Sequence, residues 1–148
     1  MKKTLKSLLA ISLVLVFSGT LFGQNIDGKW KTIDDETGEA KSVVKIYKGG
    51  DGKYYGKIEK LFRKAGEDQN PKCTECTGNK KNEPIIGMII ITGMEKDGSK
   101  YTGGKILDPA SGSVYSCKIW RDGKNLQVRG YMGVSMFGRS QTWLPYKE

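Results

Sequence analysis

The sequence predicts an all-β protein, a small up-and-down antiparallel β-barrel of about eight to ten strands. Three observations carry this. Short runs rich in β-branched and aromatic residues recur at regular spacing, each bounded by a glycine- or aspartate-containing turn. No apolar repeat at helical spacing is sustained over a comparable length. The turns are tight enough to join sequential neighbours, which favours a meander over a Greek key.

The chain has 148 residues, with 25 Lys and Arg against 16 Asp and Glu, a formal net charge of +9. Its first 23 residues read as an export signal: Lys2, Lys3 and Lys6 precede an apolar core from Leu8 to Phe17, and Gly19 and Gly23 lead to a cleavage point. No cysteine follows that core, so a lipoprotein anchor is not expected, and the apolar run is short for a membrane span. The expected product is residues 24–148, a single barrel domain placed in the periplasm or outside the cell. The signal carries three lysines and no acid, so the remainder keeps +6 of the charge. Its lysines are scattered rather than clustered, which argues against nucleic acid as a partner and for a solvated basic surface. No stable membrane insertion is expected once the signal is cut.

The barrel opens at Gly28-Lys29-Trp30, and a polar turn spans Asp34 to Gly38. Lys41 to Lys48 alternates, with Val44 and Ile46 on one face; Gly49-Gly50-Asp51-Gly52 then makes a hairpin turn. Lys53 to Phe62 returns with Tyr54, Gly56, Ile58 and Phe62 on one face, and Gly56 marks a bend. Ile85 to Met94 is apolar on both faces, as a strand covered on both sides would be. Asp97-Gly98 turns into Lys100 to Leu107, and Asp108 to Gly112 turns again. Ser113 to Arg121 places Tyr115, Cys117 and Ile119 together. Asp122-Gly123 leads into Asn125 to Tyr131, and Met136 to Trp143 pairs back on it.

Residues 63–84 are different: polar, lysine-rich, with Pro71, Pro84, Cys73 and Cys76. A connection of this length is a lid, a binding loop or a crosslinked segment. An oxidising compartment favours a Cys73–Cys76 disulfide. A bridge from either to Cys117, and metal or redox use, stand as alternatives. Thioredoxin chemistry needs a helix N-terminus in a βαβ setting, and zinc needs a fourth ligand where Cys117 supplies only a third. No metal or cofactor is expected.

Catalysis is not expected either. The sequence has no histidine, so neither a Ser-His-Asp triad nor a Cys-His pair is available. Asp34, Asp35, Asp51, Asp97, Asp108 and Asp122 all sit in turns, where carboxylates cap backbone N–H groups.

The motifs Gly28-x-Trp30, Tyr55-Gly56-Lys57-Ile58, Pro84-Ile85-Ile86-Gly87 and Gly103-Gly104-x-Ile106-x-Asp108-Pro109 resemble a bacterial family, domain of unknown function 2147. So do Gly112-x-x-Tyr115, Leu126-x-Val128-Arg129-Gly130-Tyr131 and Phe137-Gly138-Arg139-Ser140-Gln141-Thr142-Trp143. Family members often carry a basic residue just after that tryptophan, where this chain has Leu144-Pro145. The family is similar to exported lipocalin-like barrels. The resemblance implies a calycin-type closure, in which Trp30 packs under Arg139 of the last strand, with Trp143 beside them.

Arg129-Gly130-Tyr131 looks like the carboxylate grip of intracellular fatty-acid-binding barrels. A buried arginine needs an anionic partner, which a ligand would supply. Alternation offers the opposite reading: with Leu126 and Val128 facing in, Arg129 and Tyr131 face out. Tyr54, Tyr115 and Trp120 add aromatic surface for an apolar ligand. Two functions follow: a carrier holding a small apolar or anionic molecule in the barrel, or a non-catalytic envelope module presenting the loop 63–84 to a protein partner of unknown identity.

Overall fold

The computed structural model describes residues 25–148, and the export signal expected over residues 1–23 lies outside them. Eight strands close a barrel in sequence order: β1 (Gly28–Ile33), β2 (Ala40–Lys48), β3 (Tyr54–Leu61), β4 (Ile89–Asp97), β5 (Lys100–Asp108), β6 (Ser113–Asp122), β7 (Asn125–Tyr131) and β8 (Arg139–Pro145). Each strand runs antiparallel to the next. The barrel closes where Trp30 and Lys31 pair with Pro145 and Leu144. The predicted fold class holds.

Strand pairing sets the inner faces of four strands. In β6 and β7 the register sets Cys117 opposite Gly130, Ile119 opposite Val128 and Arg121 opposite Leu126, all on the inner face. Cys117, Ile119, Leu126 and Val128 are buried there. In β1 and β2 the inner pairs are Trp30 with Val44 and Thr32 with Ser42. Thr32 Oγ1 and Ser42 Oγ share a buried hydrogen bond of 2.8 Å, which satisfies two hydroxyls that would otherwise be costly to bury.

Two predicted strands begin later than the apolar pattern indicates. β4 starts at Ile89 rather than Ile85, because Gly87 adopts φ 91° and turns the chain while its N–H bonds to the Ile58 carbonyl. β8 starts at Arg139 rather than Met136, since Ser135–Phe137 form a 3₁₀ turn. The region near Ala65 is a turn, and the other 3₁₀ turn is Gly78–Lys80.

Residues 63–84 fold back against the β5–β6 turn. Cys73 and Cys76 form a disulfide and are almost fully buried. Cys73 Sγ rests 3.3 Å from the Pro109 carbonyl oxygen, and the Glu75 backbone packs on Gly112. Ile91 pairs with Ile106 on the inner face, so Leu107 points outward by alternation, yet it is only 6 % exposed. With Ile90 it joins the cluster that contains both cysteines. The disulfide segment packs on the outside of the sheet, at the β5–β6 turn that follows Leu107.

Up-and-down connectivity gives the barrel two distinct rims. One carries the chain entry and the β2–β3, β4–β5 and β6–β7 turns; this is the base. The other carries the β1–β2, β3–β4, β5–β6 and β7–β8 connections; this is the mouth.

Candidate functional site: the barrel mouth

The base is plugged. The Trp30 indole is buried, its Nε1–H donating to the Ile26 carbonyl at 2.8 Å. Burying an indole of this size contributes roughly 4–6 kcal/mol by area, an upper bound. The Arg121 guanidinium stands 5.0 Å from the Trp30 ring centre. Arg121 also donates to the Asn25, Gly123 and Lys124 carbonyls, tying chain entry to the β6–β7 turn. Tyr54 meets Tyr101 edge-on at 4.8 Å on the same level. Burial and the nearby Tyr54 push the Tyr101 hydroxyl up to about 12, so it stays protonated.

This corrects the expected closure. Arg139 lies on the last strand but not over Trp30; its guanidinium pairs with Asp35 and, at 2.9 Å, with Glu36. Arg139 starts β8 at the mouth, whereas Trp30 sits near the base, so a barrel length separates them. Arg121 ends β6 at the base and takes the role. Arg139 instead ties the β1–β2 turn to β8, and both acids hold it more firmly protonated than an ordinary arginine. Trp143 is buried in β8 opposite Leu126, its Nε1–H reaching Gln141 Oε1 at 3.0 Å.

Above this plug, Ile46, Ile91, Met94, Ile119 and Leu126 fill the lower lumen, each no more than 1 % exposed. The inward layer at the mouth differs. Ile106, Tyr115, Gly130 and Gln141 are only half-buried. A Cβ placed on Gly130 would meet Tyr115 Cβ at 3.4 Å and Ile106 Cγ2 at 3.6 Å, so these three residues form one continuous inner wall.

The β7–β8 connection rises from the same rim with its apolar side chains in solvent. Met132 is 63 % exposed, Val134 56 %, Met136 75 % and Phe137 79 %. Arg129 holds this connection: Nε donates to the Ser135 carbonyl at 2.6 Å, one terminal nitrogen to Met136 at 3.1 Å, and the other to Ser140 Oγ at 2.9 Å. Four large apolar groups exposed on one short turn are unusual on a protein surface, where such patches mark binding sites.

Of the residues singled out for ligand contact, the structure brings only Tyr115 to the inner wall of the mouth. Arg129 and Tyr131 take the outward alternative that Leu126 and Val128 dictate, so the inward carboxylate grip does not form. Tyr54 belongs to the base. Trp120 faces outward under Lys100, whose Nζ is 5.4 Å from the ring centre. Three of the turn aspartates cap backbone: Asp34 accepts from the Glu36 and Thr37 N–H groups, Asp51 from Lys53 and Asp108 from Ala110, whereas Asp35 pairs with Arg139 and Asp122 accepts from the Gln127 side chain. Sequence reading missed Arg121, although it continues the inward series Cys117, Ile119. It also missed the apolar turn, whose signal was apolar residues between Gly130, Gly133 and Gly138 where polar ones are usual.

A closed eight-stranded antiparallel meander with a plugged base defines a lipocalin-like barrel. The chain belongs to a family described as "Uncharacterized protein conserved in bacteria (DUF2147)", whose model matches residues 28–144. It is similar in fold to protein HP1028 from the human pathogen Helicobacter pylori, which belongs to the lipocalin family. The TM-score is 0.70 at 17 % identity, over 84 % of each chain. No curated protein matches the chain.

Proposed function

We propose that this protein is an exported, non-catalytic carrier that takes the apolar part of a small molecule at its mouth. The ligand rests on Ile106, Tyr115 and Gly130 and is covered by the turn bearing Met136 and Phe137. The observation that carries this reading is the exposure of those apolar side chains beside an inner wall that is itself half-open. Lipocalins are generally small-molecule binders, and a ligand seated here stays shallow because side chains occupy the lumen below. Export is supported by the leader of residues 1–23 and by a disulfide that an oxidising compartment maintains.

The test is a titration with the neutral fluorophore N-phenyl-1-naphthylamine. Burying Met136 or Phe137 against a ligand is worth about 1.5–3 kcal/mol, so the Met136→Ser/Phe137→Ser double variant loses at least about tenfold in affinity. Equal affinity in the variant overturns the mouth as the site. Mass analysis of protein from the periplasmic fraction tests export; retention of residues 1–23 contradicts it.

A further inference from the structure

A second concavity lies outside the barrel, between β3 and the chain that follows β8. It is a cleft of about 470 Å³, lined by Val43 of β2, by Lys57 to Lys60 of β3, by the turn before β4 and by Tyr146 and Glu148 after β8. Its floor is Val43. Trp30 with Val44 and Thr32 with Ser42 face inward, so Val43, paired with Lys31, faces outward. It is nonetheless only 1 % exposed and stands apart from the barrel core. The cover comes from the C-terminal residues, which run on along β1, the Tyr146 N–H donating to the Lys29 carbonyl at 2.9 Å. The opposite wall is Ile86, partly exposed, on the turn that Gly87 fastens to Ile58 at 2.7 Å.

The charges around this cleft are sorted. Lys29 spans Glu59 at 3.0 Å and Glu148 at 2.8 Å, so both acids are already engaged. Lys57 and Lys60, also on the lining, make no ion pair among the described residues. Lys60 Nζ is instead held 5.9 Å from the Tyr146 ring centre and 3.5 Å from its hydroxyl, which fixes a cation at the edge of an apolar floor. The exposed Ile86, the Tyr146 ring and two ammonium groups, of which Lys60 also lies 5.3 Å from the Phe62 ring centre, are complementary to one kind of ligand.

We propose that this outer cleft binds small amphipathic anions: an apolar ring or short chain seated against Ile86 and Tyr146, with its acidic group at Lys57 and Lys60. The site is independent of the barrel mouth.

The probe is 1-anilinonaphthalene-8-sulfonate, titrated into the full-length mature protein. The wild type binds it, with amide shifts at Ile86, Gly87 and Tyr146, and binding weakens with added salt. The Lys57→Glu/Lys60→Glu variant, folded by circular dichroism, loses at least about tenfold in affinity. The Met136→Ser/Phe137→Ser variant keeps the wild-type value, which separates this site from the mouth. Absence of binding to wild type, equal affinity in the lysine variant, or loss in the mouth variant instead overturns the proposal.

Discussion

The guanidinium of Arg121 lies 5.0 Å from the centre of the Trp30 indole, a contact between the end of β6 and the start of β1 that shuts the base of the barrel. It joins strands that are not neighbours in the sheet. Its stabilisation therefore depends on the whole barrel having closed.

Arg121→Ala should cost about 2 kcal/mol, from a cation–π contact of about 0.5–2 kcal/mol and the loss of hydrogen bonds to three carbonyls. Arg139→Ala, which removes two surface ion pairs, to Asp35 and Glu36, should leave the urea midpoint nearly unchanged. If the two variants ranked the other way, Arg139 would be the closing residue after all.

The Cys73–Cys76 bridge closes a loop with a sequence separation of 3, so its effect through the unfolded chain is small, about 2 kcal/mol. Its larger effect is local. In the Cys73→Ala/Cys76→Ala variant, residues 63–84 should become cleavable by trypsin, while exchange protection in β6 and β7 persists. Loss of protection throughout the barrel would show that the segment is needed for global folding.

Stability should fall in alkali. Burial pushes the Cys117 thiol from its ordinary 9.0 up to about 12. The folded state keeps that proton while the unfolded chain gives it up. The stabilisation is complete below pH 9 and is lost as pH rises toward 12, by up to about 1.4 kcal/mol per pH unit. Cys117→Ala should flatten the fall in urea midpoint measured between pH 8 and 10.5. An unchanged slope would place its cause elsewhere.

Gly104 faces the lumen with no space for a side chain: an added Cβ would collide with the Thr92 carbonyl and lie 2.9 Å from the Met94 nitrogen. Gly104→Ala should cost about 3 kcal/mol. Gly123, at φ 59° with nothing near, should cost only about 1 kcal/mol on the same change, from backbone conformation alone. Thermal unfolding compares the two directly.

Much of this architecture is legible along the chain. Glycine and aspartate punctuate every hairpin, and period-two alternation assigns Val44, Ile46, Cys117, Ile119, Leu126 and Val128 to the core. The same alternation also sends Arg129 outward, where it braces the β7–β8 turn. Ile85 to Met94 read as covered on both faces, and Ile90 is indeed covered from outside, though the covering segment was not evident. Pro84 to Gly87 read as strand because apolar residues hide a turn that a single positive φ at Gly87 imposes.

By itself, then, the sequence determined the strands, their order and the faces of most side chains, because these depend on neighbours within one hairpin, while the tertiary structure chose Cys73–Cys76 among the possible cysteine pairings. Tertiary structure alone decided which arginine reaches Trp30, which rim stays open, and that Val43 and Tyr146 frame an outer cleft. Those contacts join residues from strands far apart in the chain. Their meeting depends on the stagger accumulated around the closed sheet and on the bulges in β2, β3 and β5, which no local pattern encodes.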